Sequence, residues 1–282
     1  MKVIKDAEFS GERVLFAQHD LELVNVHIGP GESPLKKCRN IKAINCVFDG
    51  KYPFWHTDGF VVEHCRFNIG ARSGPWYSKG CVMNDCIVEA PKLFREMDGV
   101  EVNRTDFPHG QEMFWYCRNI KLRDVRIDEC DYLFLHSSDI DIDHYEQHGN
   151  YSFQYARNVT IDNADIHSKD AFWNTENVTV KNSSLDGEYL GWHSRNLTLI
   201  NCHIKGTQPL CYAHNLKMIN CTMDADADLA FEESELDAEI VSPVTSVKNP
   251  RTGRIVAPSI NEVIIDENVP APNDCIIITQ ES

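Results

Sequence analysis

Asp58 and Asp98 occupy the same position of a pattern that recurs every 19–21 residues, two repeats apart. If the repeats stack as strands ~4.8 Å apart, the two backbones lie about 10 Å apart. That approaches the roughly 6.5–9.5 Å between acid and base carboxylates in inverting glycoside hydrolysis. Arg95 and Glu96 sit beside Asp98, and His56 beside Asp58. Asp58, Asp98 and Glu96 are therefore the acid/base candidates, with Arg95 or Lys79 to meet substrate charge. The same column reads Arg39, Asp58, Lys79, Asp98, Arg118, so its alternating signs equally fit a ladder of ion pairs between coils.

A second constellation is aromatic. Counting from the first apolar residue of each repeat, its anchor, position −5 reads Trp55, Trp76, Arg95, Trp115, Leu135, Gln154, Trp173, Trp192, Cys211. Position −4 reads His56, Tyr77, Glu96, Tyr116, His136, Tyr155, Asn174, His193, Tyr212. All five tryptophans of the chain share one column. An exposed stripe of this kind marks a binding surface. Flat rings interleaved with polar groups suit sugars, which present C–H faces and hydroxyl edges. Three readings stay open: a groove for a carbohydrate ligand, an interface with a second copy of the chain, and stacking that only stabilises neighbouring coils.

The elements that would position these residues follow from the repeat. Anchors fall at Leu21, Ile41, Phe60, Cys81, Val100, Ile120, Ile140, Val159, Val178, Leu197 and Leu216, with a partial coil around Ile4, Ala7 and Phe9. Apolar residues recur two and seven places after the anchor, and phenylalanines six places before it. Small residues (Cys46, Cys65, Cys86, Thr105, Ala164, Ser183, Cys202, Cys221) lie five places after it. This predicts three short strands per coil, each with one buried face. Asparagines at −1 (Asn40, Asn119, Asn158, Asn177, Asn196, Asn215) and +4 mark the bends, where left-handed backbone is needed. Repeats of this length bury a core only by stacking. The expected fold is all-β, a parallel β-helix of about twelve coils over 1–236 with a capping segment at 237–282. The cap contains Pro243, Pro250, Pro258, Pro270 and Pro272 and closes an otherwise adhesive edge. Pentapeptide-repeat helices share the coil length, but their inward columns recur every five residues.

The N-[VL]-[TK]-[LVM]-x-N-[CS] repeats and the tail Ser246–Ala257 (S-V-K-N-P-R-T-G-R-I-V-A) resemble the single-stranded right-handed β-helices of the pectin-lyase-like superfamily. Within it they are most similar to an uncharacterised bacterial family defined only as a domain of unknown function. The resemblance implies carbohydrate chemistry of the hydrolase or lyase kind; the alternative, read from the stripe itself, is a non-catalytic protein that oligomerises through it. His56-Thr57-Asp58-Gly59 resembles the N-T-D-G motif of polygalacturonase-type hydrolases but departs at its first position. The paired Asp, Gly-His-Gly and Arg-x-Lys of those enzymes have no counterpart here.

Bulk properties bound the remainder. A net charge of −16 argues against nucleic-acid or anionic-membrane partners, and no apolar run approaches the ~18 residues of a membrane span. The start Met-Lys-Val-Ile-Lys-Asp-Ala-Glu is not that of a secretory signal. Eleven cysteines, an odd number lying mostly at repeat positions, predict free thiols and a cytoplasmic setting. No metal-ligand spacing, phosphate loop or nucleophile elbow is present, so neither a metal nor another cofactor is expected.

Overall fold

The computed structural model describes residues 1–269 and 273–279; Pro270 and Pro272 of the expected cap lie outside them. The described residues form strands and turns without a helix. The chain winds as a right-handed parallel β-helix of about 14 turns and separates into two compact units, residues 1–146 and 147–282.

In the first unit the anchor strands Lys2–Lys5, His19–Val24, Arg39–Ile44, Asp58–Glu63, Lys79–Asn84, Asp98–Phe107 and Arg118–Asp131 pair in parallel. Leu21, Ile41, Phe60, Cys81, Val100 and Ile120 are successive register partners, the register expected from the repeat. In the second unit Val159, Val178 and Leu197 align in the same way, as do Leu216 and Leu236. Parallel pairing then continues through Glu235–Ile240, Thr252–Ala257 and Ile276–Thr279. These extra rungs raise the count above the expected twelve. Their spacing shortens, since Leu236 pairs with Gly253, and the repeat consensus fades there.

The core is ordered by column. Phe54, Phe94, Phe114, Phe134, Phe153 and Phe172, all at −6, are fully buried. Phe94 stacks on Phe114 at 4.7 Å between centroids and Phe114 on Phe134 at 4.8 Å; in the second unit Phe153 stacks on Phe172 at 4.9 Å. Small residues have a hydrogen-bonding reason to be small and polar. The Cys46 N–H donates to Cys65 Sγ (3.3 Å), and that thiol donates to the Glu63 carbonyl (3.2 Å). At −3, Ser78 accepts from the Thr57 N–H (2.9 Å) and donates to the Phe54 carbonyl (2.7 Å). All eleven cysteines are free thiols. Burial pushes Cys117 up to about 12, so it is unreactive at neutral pH. The asparagine ladder is built as amide chains: Asn215 donates to Asn196 and Asn196 to Asn177, each at 2.8 Å.

The third side of each coil differs from expectation. It is a run of turns with isolated bridges such as Trp76 with Arg95 and Arg95 with Trp115, not a strand. Its backbone alternates in hand. Lys92, Phe94 and Glu96 have φ of 62°, 59° and 50°, and Glu112, Phe114 and Tyr116 have 51°, 58° and 55°. Left-handed φ at non-glycine residues is uncommon and persists only where surroundings hold it. Here inter-coil hydrogen bonds do so. Glu96 N–H donates forward to the Trp115 carbonyl (2.8 Å), and Phe114 N–H donates backward to the Leu93 carbonyl (3.2 Å).

Candidate functional site

This alternation puts −6 and −3 inside and both −5 and −4 outside. The two outer columns then part company. Tryptophans at −5 are half-buried and engaged with the fold. Trp76 Nε1 donates to the Lys92 carbonyl (2.8 Å) and Trp115 Nε1 to the Tyr132 carbonyl (2.5 Å), each on the following coil. Arg95 lies between these two indoles, 4.4 Å from each ring centroid, with Glu112 at 3.6 Å. The Lys36 ammonium stands 4.2 Å over Trp55, whose indole N–H is buried without a partner. In the second unit Trp192 donates to the Gln208 carbonyl (2.7 Å) and packs 5.5 Å from Trp173.

At −4, rings of successive coils stack on each other. His56 lies on Tyr77 (5.2 Å, 20°) and Tyr116 on His136 (5.1 Å, 10°). In the second unit His193 lies on Tyr212 (5.0 Å, 15°). Tyr77, Tyr116 and Tyr155 are 39%, 53% and 44% exposed. Burial lowers the His193 pKa, with His214 adding to the effect; burial lowers His56 too, with Lys36 and Lys37 adding. Both rings therefore favour the neutral form.

An open groove of about 590 Å³ runs between the −4 and −2 columns of the first unit. Tyr77, Glu96 and Tyr116 form one wall and Lys79, Asp98 and Arg118 the other, with Ser78 and Met97 beneath. Glu96 and Asp98 thus share a groove, whereas Arg95, one residue away, is directed into the indole stack. Asp58 is two register steps from Asp98, with Lys79 between them. Asp98 is drawn the other way: Arg118 donates to it at 2.8 Å and Asn119 at 2.7 Å. The Arg118 guanidinium first, then Asn119, hold its carboxyl below the ordinary carboxylate range. It is an acceptor at neutral pH and has no proton to give. The expected ion-pair ladder forms at Asp98–Arg118, but neither Asp58, Lys79 nor Glu96 has an ion-pair or side-chain hydrogen-bond partner among the described residues. Arg118, Ser78 and Met97 were not singled out for the groove by sequence; Arg118 had been absorbed into the charge column. The −4 column did carry the signal, because Glu96 interrupts a run of rings. Among the described residues no group of three or more His, Cys, Asp or Glu is arranged to hold a metal ion.

Coil register, buried phenylalanine column and parallel sheet define a right-handed parallel β-helix carrying a ring-lined surface groove. Residues 2–278 match the family described as a protein of unknown function, DUF3737, and the chain belongs to that family. No curated protein matches it in sequence. Among solved structures it is similar to the tailspike protein of E. coli bacteriophage HK620, determined in complex with a hexasaccharide. That match has 9% identity and a TM-score of 0.51, and covers 92% of this chain and 67% of the tailspike chain. It is also similar to PfbA, a surface adhesin of Streptococcus pneumoniae, at 9% identity and TM-score 0.44, covering 94% and 83% of the two chains. The periplasmic alginate epimerase AlgG matches at 10% identity and TM-score 0.41, covering 98% and 77%.

Proposed function

We propose that this protein binds a carbohydrate along the −4 column of its first unit, in the groove between Tyr77 and Tyr116. The observation that carries the reading is the pairing of exposed ring faces with polar groups that the fold leaves unpaired. Rings supply C–H contact, and Glu96 and Lys79 supply acceptor and donor for hydroxyls. A hydrogen-bonding site of this sort rejects ligands that leave its polar groups unpaired. Indoles at −5 serve the groove from behind, as a stiff backing. Binding without cleavage is favoured, because the Asp98 carboxylate is engaged by Arg118 and Asn119 of the next coil and is turned away from Asp58. His136 and Tyr155 extend the ring column within their respective units, and Trp173, Trp192 and His193 are a secondary surface on the second unit.

A glycan and oligosaccharide binding screen on the intact protein tests this. Tyr116→Ala removes a stacking face, and binding should weaken by about ten-fold, corresponding to an aromatic contact of ~1–1.5 kcal/mol. A concentration-dependent dimer that Tyr116→Ala disrupts, with no glycan bound by the parent protein, would replace this reading with self-association through the same face.

A further inference from the structure

The ring ladder of the first unit has one missing rung. Along −4 the residues are His56, Tyr77, Glu96, Tyr116 and His136, and rings stack on either side of Glu96 at 5.2 and 5.1 Å. Tyr77 and Tyr116 are the nearest rings across it, two coils apart, or about 10 Å at the usual strand spacing. Each is near-parallel to its outer neighbour, at 20° and 10°, so both present a face toward the interruption. A body inserted there would sit about 5 Å from each ring centre, repeating the step of the ladder. A pyranose chair, thicker than an aromatic ring, suits that spacing. A flat heteroaromatic ring in contact at ~3.5–4 Å with one face would stand off from the other.

The floor of the slot is a carboxylate. Glu96 has no ion-pair partner among the described residues, and the neighbouring cations are otherwise placed. Arg118 is bonded to Asp98 at 2.8 Å, and Arg95 is held between Trp76 and Trp115. Lys79 remains at the groove edge, in register between Asp58 and Asp98. An ammonium over Glu96 would gain a charge-assisted hydrogen bond and the attraction of two tyrosine faces. The chain's net charge of −16 favours encounter with a cationic polymer. Resting on the carbohydrate reading above, we infer that the slot between Tyr77 and Tyr116 takes one sugar unit bearing a free, protonated amine, with the amine on Glu96.

Calorimetric titration of the intact protein with three oligomer series of equal length tests this: glucosamine, N-acetylglucosamine and glucose, all β-1,4-linked, in 0.15 M salt. The glucosamine oligomer should bind at least ten-fold tighter than the other two. E96Q, which keeps the shape of the side chain and one acceptor oxygen but removes the charge, should bring it within about three-fold of them. E96Y, which completes the ladder, should weaken all three. Equal binding of the three series, or an amine preference that persists in E96Q, would overturn the inference and leave the carbohydrate reading standing. Binding of none of them, where the broader glycan screen finds a ligand, would overturn the inference alone. Binding of no carbohydrate in either experiment would remove both. Unchanged thermal midpoints for E96Q and E96Y are the folding control.

Discussion

Replacing Arg95 with alanine separates what the −5 and −4 columns do. The guanidinium lies 4.4 Å from the Trp76 and Trp115 centroids, and its side chain is 21% exposed. A partly desolvated cation–π contact contributes ~1 kcal/mol, so two contribute about 2 kcal/mol. Glu112 loses a 3.6 Å partner but keeps Lys92 at 2.8 Å, so that loss is small. Removing the aliphatic stem between two indoles adds ~1 kcal/mol of lost packing. Against this, Arg95 Nε is buried without a partner, and deleting it recovers ~1 kcal/mol. The expected net loss is about 2–3 kcal/mol, read as a lowered denaturation midpoint followed by tryptophan fluorescence. Affinity for a groove ligand should change by less than about two-fold at temperatures where the variant is folded. Arg95→Leu should recover part of the stability, since Leu135 occupies the same column. An Arg95→Ala protein of unchanged stability that has lost its ligand would refute the division, because Arg95 would then be touching the ligand.

Three further outcomes are expected. Ser78→Ala leaves the Thr57 N–H and the Phe54 carbonyl without the bonds they make at 2.9 and 2.7 Å in a buried site; equilibrium unfolding should show a loss of about 2–4 kcal/mol. Asn196→Ala breaks two amide bonds of the ladder at a residue with φ of 55° and should cost about 1–2 kcal/mol, of which Asn196→Gly restores the backbone part. Asp98 has a folded pKa below its unfolded one, so its contribution is full above the unfolded value near ~4 and disappears as pH falls through the folded value. The stability gap between wild type and Asp98→Asn should therefore be constant from about pH 5 to 7 and close toward pH 2; a gap that widens in acid would contradict the Arg118 pairing.

Much of the coil was legible because each column answers to one physical demand. Asn40 and Asn196 sit where the backbone must be left-handed, Phe114 fills a fixed cross-section, and Cys65 must be small and able to bond. Stacking repeats those demands once per turn, so register could be read by lining them up. The third side was misread as strand because its phenylalanines, such as Phe94 and Phe114, recur as an apolar column like those of the true strands. Its order is instead two residues inside (Leu93, Phe94) followed by two outside (Arg95, Glu96), which follows from a backbone that alternates in hand, and sequence does not show that hand. Nor does it show which of two outward neighbours lies flat. Trp115 and Tyr116 both leave the core, yet one indole closes the turn edge and the other ring stands in the groove. The late rungs were missed where spacing shortens and the consensus dissolves, as at Leu236 and Gly253. In the candidate site the carboxylates were visible, but their directions were not: Asp98 follows Arg118 and Asn119, which lie on the next coil.

The indole bonds of the −5 column impose a length standard on the chain. Trp76, Trp115 and Trp192 each reach one coil ahead to a carbonyl 16 or 17 residues further along. The stretch between indole and carbonyl is therefore gauged by a bond that either closes or does not. Between Phe60 and Cys81 the coil runs to 21 residues, and Trp55, facing it, has the indole N–H left buried without a partner. Descendants of this sequence should accept inserted residues most readily ahead of coils whose predecessor lacks tryptophan at −5, such as those following Leu135 or Gln154. In this way a row of rings on the surface limits where the fold can acquire new loops.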